Sequence, residues 1–188
     1  KPLLKVNNLT IIEWQIIFLK KAGVNEIFIN THYLAIKIME HLKDGDHLGV
    51  KIKYIFETHI HADFISGHLN LAKKTGAKII YGPKSETKFD KTIAKDYEEF
   101  KIGDITIVAI HTPGHTIEST TYLLKDTNDN DHAIFTGDTL FLGDVGRPDL
   151  SQSSNMDNKD LASMLYDSLR NKIMTLNDDV IVYPGHGE

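Results

Sequence analysis

Apolar residues recur every three to four positions in four segments of the chain, and this spacing places them on one face of an α-helix. The first segment opens with Thr10 and Glu13, three residues apart as in a capping box. The second and third stop near glycines, Gly45 and Gly76, as helices commonly do. The last carries leucines and an isoleucine at four-residue intervals, which indicates an amphipathic helix. The predicted helices cover about 10–23, 34–42, 64–75 and 157–173.

Other segments alternate apolar and polar residues or form short apolar runs, and both patterns are typical of β-strands. In the first half of the chain these strands alternate with helices, whereas from about residue 100 onward strands dominate. We expect an α/β protein whose last strand is buried. The predicted strands are 26–30, 50–58, 77–81, 105–110, 120–124, 133–135 and 180–183, with a further one before the turn at 100–104.

Composition narrows the classes of function. The 188 residues, 41% of them hydrophobic, are enough for a packed core. A net charge of −5 argues against a general nucleic-acid or anionic-membrane binder, and no apolar run is long enough to span a membrane. The chain has no cysteine, which excludes disulfides, thiolate ligands and a cysteine nucleophile. Any metal must therefore bind to His, Asp or Glu, and ten histidines are available.

Four short polar motifs each follow a predicted strand, where the loops of sheet proteins gather into sites. Glycine adjoins the later candidate ligands and lets the backbone turn tightly. We predict that these motifs supply metal ligands, and that the other histidines are ordinary solvated or hydrogen-bonded residues. The motifs are 58–63, 112–116, 136–139 and 184–187, and their candidate ligands are His59, His61, Asp63, His115, Asp138 and His186.

The spacing in His59-x-His61-x-Asp63 suits convergence, because alternate residues of an extended segment project to one side. Imidazoles and carboxylates without sulfur suit zinc, iron or manganese, and the donor set alone does not choose among them. Arg147 lies near these motifs in the sequence and is a candidate for holding an anionic substrate.

Three longer stretches, 57–68, 112–119 and 135–150, carry a resemblance. From about residue 50 to residue 188 the chain resembles the metallo-β-lactamase superfamily, and within it the persulfide dioxygenases. The resemblance implies an αββα sandwich with the metal site along one edge of its two sheets. It also implies one iron(II) ion held by His59, His115 and Asp138, with His61, Asp63 and His186 outside the ion's ligand set.

One departure from the hydrolytic relatives bears on the activity. Those relatives usually have His directly after the motif's Asp, where it helps to bind a second metal, whereas here Phe64 follows Asp63. An apolar ring cannot be a ligand, so hydrolysis with two metals is disfavoured. The resemblance to persulfide dioxygenases implies oxidation of a low-molecular-weight thiol persulfide by O₂ to sulfite and thiol. His61 or Asp63 would orient ligands, and Arg147 would anchor the substrate.

The first fifty residues resemble a different family, the sugar-phosphate nucleotidyltransferases. The likeness rests on the segments 1–8, 11–15, 20–24 and 29–34, and the glycine-rich phosphate loop of that family would lie before Lys1. We expect a chimera with a βαβ segment at 1–52, replacing part of the first sheet, packed onto a metal-binding domain at 53–188. Its exposed strand edge would favour pairing with another chain, for example as a homodimer.

Two other functions stay open on the sequence. One is a zinc-dependent thioester hydrolase of the hydroxyacylglutathione hydrolase type, with zinc on His59, His61 and His115. The other is a catalytically inactive chimeric fragment. No leader segment follows Lys1, so we expect a cytoplasmic protein whose partners are a small thiol persulfide and O₂, and neither nucleic acid nor membrane. The thiol carrier is not encoded in any motif identified above.

Overall fold

The computed structural model describes residues 3–21, 26–27, 35–42, 48–49, 51–62, 65–149 and 157–186. The chain divides into two compact units, one formed by residues 1–56 and 61–79 and the other by residues 57–60 and 80–188. The division into 1–52 and 53–188 that the sequence suggests stays a prediction. In the described part of the chain, no helix is long and apolar enough to cross a membrane.

Helix α1 of the first unit begins where the sequence predicts. The Glu13 carboxylate accepts a hydrogen bond of 2.7 Å from the backbone N–H of Thr10, and the Glu13 N–H donates to the Thr10 hydroxyl at 3.3 Å. This reciprocal pair is a capping box. Ile16 of α1 packs against Ile38 and Leu42 of the next helix. The elements are β1 (Lys5–Val6), β2 (Leu9–Thr10), α1 (Ile11–Lys21), β3 (Glu26–Ile27), α2 (Ala35–Leu42), β4 (Lys51–Ile52), β5 (Tyr54–Phe56) and α3 (His68–Thr75).

Two predicted elements of this unit are corrected. The strand expected over 50–58 divides at Lys53, because β4 pairs with β3 whereas the Lys53 carbonyl accepts from the N–H of Lys78. The helix expected from residue 64 begins at His68, since Gly67, a poor helix former, takes the N-cap position. Its end is as predicted: Gly76 adopts a left-handed conformation with φ 71°.

A five-stranded sheet forms the larger part of the second unit, in the order β12-β11-β10-β9-β8. Neighbouring strands in this sheet are antiparallel, except for β11 and β12, which are parallel. The predicted hairpin around residue 103 joins β8 to β9, and the polar loop 126–130 joins β10 to β11. The strands after α3 are β6 (Lys78–Tyr81), whose residues divide between the two units after Ile79, β7 (Thr92–Ile93), β8 (Glu98–Ile102), β9 (Ile105–His111), β10 (Thr120–Lys125), β11 (Asp131–Gly137) and β12 (Ile181–Pro184).

The predicted last helix lies on one face of this sheet. It consists of α4 (Asn158–Ser168) followed by one π-helical turn (Leu169–Ile173). The Asp157 carboxylate caps its first turn by accepting from two backbone N–H groups. Ile173 joins Val108, Ile110 and Ile134 of the sheet in a buried cluster. The sequence predicts a continuous α-helix here and does not reveal the π turn.

The last strand is less buried than predicted. Side chains of β12 are partly or largely exposed, with Ile181 at 43% and Tyr183 at 50%. Strand β12 lies at the end of the five-stranded order, so only one of its edges pairs with a neighbouring strand there. An apolar run such as Val180–Tyr183 therefore marks an edge strand here rather than a central one. The short strands β1, β2 and β7 have no counterpart among the predicted strands.

Candidate metal centre

Three of the predicted ligands come together in the second unit. One ligand atom from each of His59, His115 and Asp138 lies within 4.8 Å of the others. The Oδ2 atom of Asp138 is 3.9 Å from Nε2 of His59 and 3.6 Å from Nε2 of His115. The two imidazoles meet edge to face, with ring centroids 5.0 Å apart. Three residues that are distant in the sequence therefore bring their ligand atoms close together.

The arrangement fits a metal ion better than a hydrogen-bonded cluster. The two Nε2–Oδ2 distances exceed hydrogen-bond length. Ligand atoms that lie about 2.1 Å from one ion are about 3.0–3.4 Å from each other. The two Nε2 atoms would therefore need to move only slightly closer to Oδ2 to bind the same ion. The other carboxylate oxygen of Asp138, Oδ1, is buried and has no hydrogen-bond partner among the residues the structure describes. A buried anionic oxygen left in this way is costly unless a cation or donor compensates it.

His59 is held by two neighbouring polar side chains whose supporting roles the sequence does not predict. It is 3% exposed, and its Nδ1 lies 3.0 Å from the hydroxyl oxygen of Thr58. That contact occupies Nδ1 and leaves Nε2 for a metal. The buried carboxylate of Glu118 accepts a 2.9 Å hydrogen bond from the N–H of Ile60 and fixes the backbone just after this candidate ligand. No spacing rule in the sequence connects Glu118 to residue 60.

His115 is oriented by a backbone carbonyl. Its Nδ1 lies 3.0 Å from the carbonyl oxygen of Arg147, so an Nδ1–H can donate there while Nε2 faces Asp138. Metal-bound histidines commonly make such a contact through their second nitrogen. A backbone carbonyl carries no residue-type signal, so the sequence does not predict this contact.

Asp138 follows β11 and packs tightly against the segment after β12. The N–H of Gly185 donates to the carbonyl of Gly137 at 2.8 Å. A Cβ atom on residue 185 would lie only 2.6 Å from Oδ1 of Asp138, so the close approach needs glycine there. The glycine that the sequence places beside His186 thus makes room for the carboxylate of another motif.

His186 lies on the outer side of the same carboxylate. Its Nε2 is 3.3 Å from Oδ2 of Asp138, and its side chain is 44% exposed. Asp138 Oδ2 is therefore within 4 Å of three imidazole nitrogens. The Asp138 carboxylate thus lies between two groups of imidazoles, with His59 and His115 in one group and His186 in the other.

The remaining predicted site residues are placed as follows. The Arg147 guanidinium forms a bidentate pair with Asp149, at 3.0 and 2.6 Å, and this pair holds the pKa of Asp149 below its usual value. His61 belongs to the other compact unit, and Asp63 lies outside the described residues. Their roles, and that of Arg147, stay predictions.

The comparisons identify the family. The model of the metallo-β-lactamase superfamily matches residues 31–186. The chain belongs to this superfamily. Its fold is the α/β metallo-β-lactamase fold, with sheets flanked by helices, as the sequence resemblance implies. The likeness of residues 1–50 to nucleotidyltransferases finds no support in these comparisons, and the superfamily match itself begins within that segment.

Curated relatives in the superfamily have two different activities. The chain is 39% identical over 142 residues to the hydroxyacylglutathione hydrolase of Brucella anthropi, covering 73% of this chain and 48% of that protein. It is 33% identical over 141 residues to the human mitochondrial persulfide dioxygenase ETHE1, covering 74% and 50%. The chain spans about half the length of these relatives. Both relatives belong to a family of metal-dependent enzymes. Because the chain is similarly identical to a hydrolase and to a dioxygenase, sequence identity does not decide between the two reactions.

Solved structures agree on the fold. A metallo-β-lactamase from Staphylococcus aureus subsp. aureus COL superposes with a TM-score of 0.73 at 31% identity, covering 89% of this chain and 51% of that one. ETHE1 from Myxococcus xanthus superposes with a TM-score of 0.66 at 29% identity, covering 87% and 65%. A metal-binding site belongs to this fold, and the His59, His115 and Asp138 cluster is where the chain provides suitable donors.

Proposed function

We propose that this superfamily member is an iron-dependent persulfide dioxygenase. The observation that supports the proposal is the convergence of two imidazoles and one carboxylate, from His59, His115 and Asp138, within 4.8 Å. Two histidines and a carboxylate on one face of a metal leave other positions open, as in non-haem iron oxygenases. Phe64, at the position where hydrolytic relatives usually have a ligand, also favours a single metal.

The proposed reaction conserves atoms and electrons. A persulfide R–S–SH, O₂ and water give the thiol R–SH, sulfite and two protons. The terminal sulfur is oxidised, O₂ is reduced, and the S–S bond breaks with the thiol as leaving group. Iron(II), when bound, supplies the redox activity that O₂ requires.

The chain's own residues hold and orient the reactants in this proposal. His59, His115 and Asp138 hold the metal, while Thr58 and the Arg147 carbonyl fix the two imidazoles. Arg147 keeps its predicted role of binding the charged part of the thiol carrier, and its guanidinium pairs with the Asp149 carboxylate. His61 and Asp63 keep their predicted role of orienting ligands through hydrogen bonds.

A zinc-dependent thioester hydrolase is the second candidate, and one contact favours it. The 3.3 Å separation between His186 Nε2 and Asp138 Oδ2 suits a carboxylate shared by two ions. For a hydrolase, the ligand set predicted from the sequence, His59, His61 and His115, would hold zinc, and the zinc would supply a hydroxide for attack on the thioester carbonyl.

Oxygen uptake separates the two candidates. Protein purified without O₂ is given glutathione persulfide in an oxygen electrode, and in parallel a hydroxyacylglutathione thioester. We expect O₂ consumption with equal sulfite formation, and loss of both in Asp138→Asn but not in Asp167→Asn, a variant of an exposed aspartate on α4. Tightly bound zinc with thioester turnover would overturn the proposal. Full iron loading without O₂ consumption would instead favour an inactive fragment.

A further inference from the structure

The loop that carries His115 lies directly on helix α4. Gly114 has φ 151°, and a Cβ atom there would overlap Cβ and Cα of Leu165. The loop backbone therefore touches the helix one residue before the candidate ligand. Close backbone contact of this kind transmits the position of the helix to the loop.

A buried hydroxyl joins the same two segments. The Ser168 side chain is 3% exposed, and its Oγ donates to the carbonyl oxygen of Pro113 at 2.8 Å. Pro113 precedes the ligand by two residues. A buried hydroxyl is tolerated only when it is hydrogen-bonded, so this contact accounts for a serine on the buried side of α4.

Lys172, in the π turn, holds the point where the loop leaves β9. Its Nζ donates to the carbonyl oxygen of His111 at 2.7 Å and to Oδ2 of Asp96 at 2.6 Å. The other oxygen of Asp96 accepts from the N–H of His111 at 2.8 Å. Both backbone groups of His111 are thus bonded to one charged pair. The His111 ring is bonded too, since its Nε2 lies 2.9 Å from the Ile117 carbonyl oxygen.

The three helix residues follow one another at helical spacing. Leu165, Ser168 and Lys172 are three and four residues apart and contact residues 114, 113 and 111 in turn. If this helix only covered the sheet, apolar side chains alone would be sufficient on the face that it buries. The two polar residues instead bind loop carbonyls, and every contact falls within four residues of His115.

We propose that Ser168 and Lys172 are positioning residues for the metal ligand His115. Hydrogen bonds to the Pro113 and His111 carbonyls fix the loop on α4, and the loop in turn sets how His115 Nε2 faces Asp138. The inference rests on the proposed metal centre. Removal of a group that orients a metal ligand typically lowers metal affinity by about 10-fold to 100-fold.

The test measures metal binding on the full chain. Cobalt(II) is titrated in competition with a chelator, and its visible spectrum is recorded, since that spectrum reports ligand geometry. The variants are Ser168→Ala and Lys172→Met, alone and combined, with Lys172→Arg as the conservative replacement. Matched controls on the same helix are Ser163→Ala and Lys159→Met, both at exposed positions. Thermal unfolding is measured on every variant.

We expect the combined variant to bind cobalt(II) about tenfold more weakly and with an altered spectrum. Lys172→Arg should restore most of the affinity, and the two controls should match the starting protein. A lower unfolding temperature with unchanged affinity and spectrum would overturn the inference, because the contacts would then be structural only. If His115→Ala itself leaves cobalt(II) binding unchanged, the metal centre fails, a result distinct from failure of the positioning role.

Discussion

At the scale of single residues, the site depends on the carboxylate of Asp138. Its Oδ2 lies 3.3 to 3.9 Å from imidazole nitrogens of His59, His115 and His186. The sequence predicts these four residues because they are donors placed after strands. It does not predict their supports, Thr58 and the Arg147 carbonyl, since a hydroxyl beside a histidine or a backbone oxygen has no distinctive pattern.

Replacement of Thr58 tests the support of His59. Thr58→Val keeps the shape but removes the oxygen 3.0 Å from His59 Nδ1. Metal affinity should fall by about 10-fold to 100-fold. Thr58→Ser, which restores an oxygen, should recover most of it in the same chelator competition. Equal affinities for Thr58→Val and the starting protein would show that the contact does not orient the ring.

Replacement of Gly185 tests the packing around Asp138. In Gly185→Ala the new methyl group would lie 2.6 Å from Asp138 Oδ1, so the carboxylate or the backbone must move. We expect metal affinity to fall by at least about tenfold. Gly103→Ala is the control, because no atom lies within 4 Å of a Cβ there. A similar affinity loss in both variants would show that contact with the Asp138 carboxylate is not the cause.

At the scale of elements, the sequence predicts a helix start from a capping side chain and a helix end from a glycine in the left-handed conformation. Thr10 with Glu13 and Gly76 lie where the sequence places them. The exposure of β12 and the break at Lys53 depend on which strand is the neighbour, and that is a property of the assembled sheet. An apolar run looks the same in a central and an edge strand.

The cap of α1 predicts a pH-dependent stability. Burial raises the pKa of Glu13, but hydrogen bonds from Thr10 and His41 outweigh it and lower this pKa from 4.5 to about 2. The stabilisation is therefore present above about pH 4.5 and is lost as the pH falls towards 2. Glu13→Gln should flatten this part of the pH profile by on the order of 3 kcal/mol.

The single tryptophan provides the measurement. Trp14 lies next to Glu13 in α1, so its fluorescence follows unfolding of the first unit in denaturant at each pH. Glu86→Gln, a change at an exposed carboxylate, serves as control. Parallel pH profiles for the starting protein and Glu13→Gln would contradict the lowered pKa.

The cap of α4 is worth a comparable test. Asp157 accepts from the N–H groups of Lys159 and Asp160, both at 2.9 Å. Asp157→Ala should reduce the free energy of unfolding by about 1 kcal/mol, whereas Asp157→Asn should cost only a few tenths. Circular dichroism during denaturation measures both. Indistinguishable variants would mean that α4 does not depend on this cap.

At the scale of the whole molecule, the superfamily could be predicted from residues 50–188, because three long motifs keep their order and spacing. The separate origin proposed for the first fifty residues rests on short segments that many helices and strands share, and it found no support. The choice between oxidation and hydrolysis is set by the metal and by pocket residues. Neither follows from motifs that dioxygenases and hydrolases have in common.

Metal content tests the central claim most directly. The full chain and Asp138→Asn are purified without O₂ and analysed for iron, zinc and manganese. The account predicts about one iron per chain in the former and almost none in the latter, with unchanged circular dichroism. Two zinc ions per chain, or an equal metal content in both proteins, would contradict it.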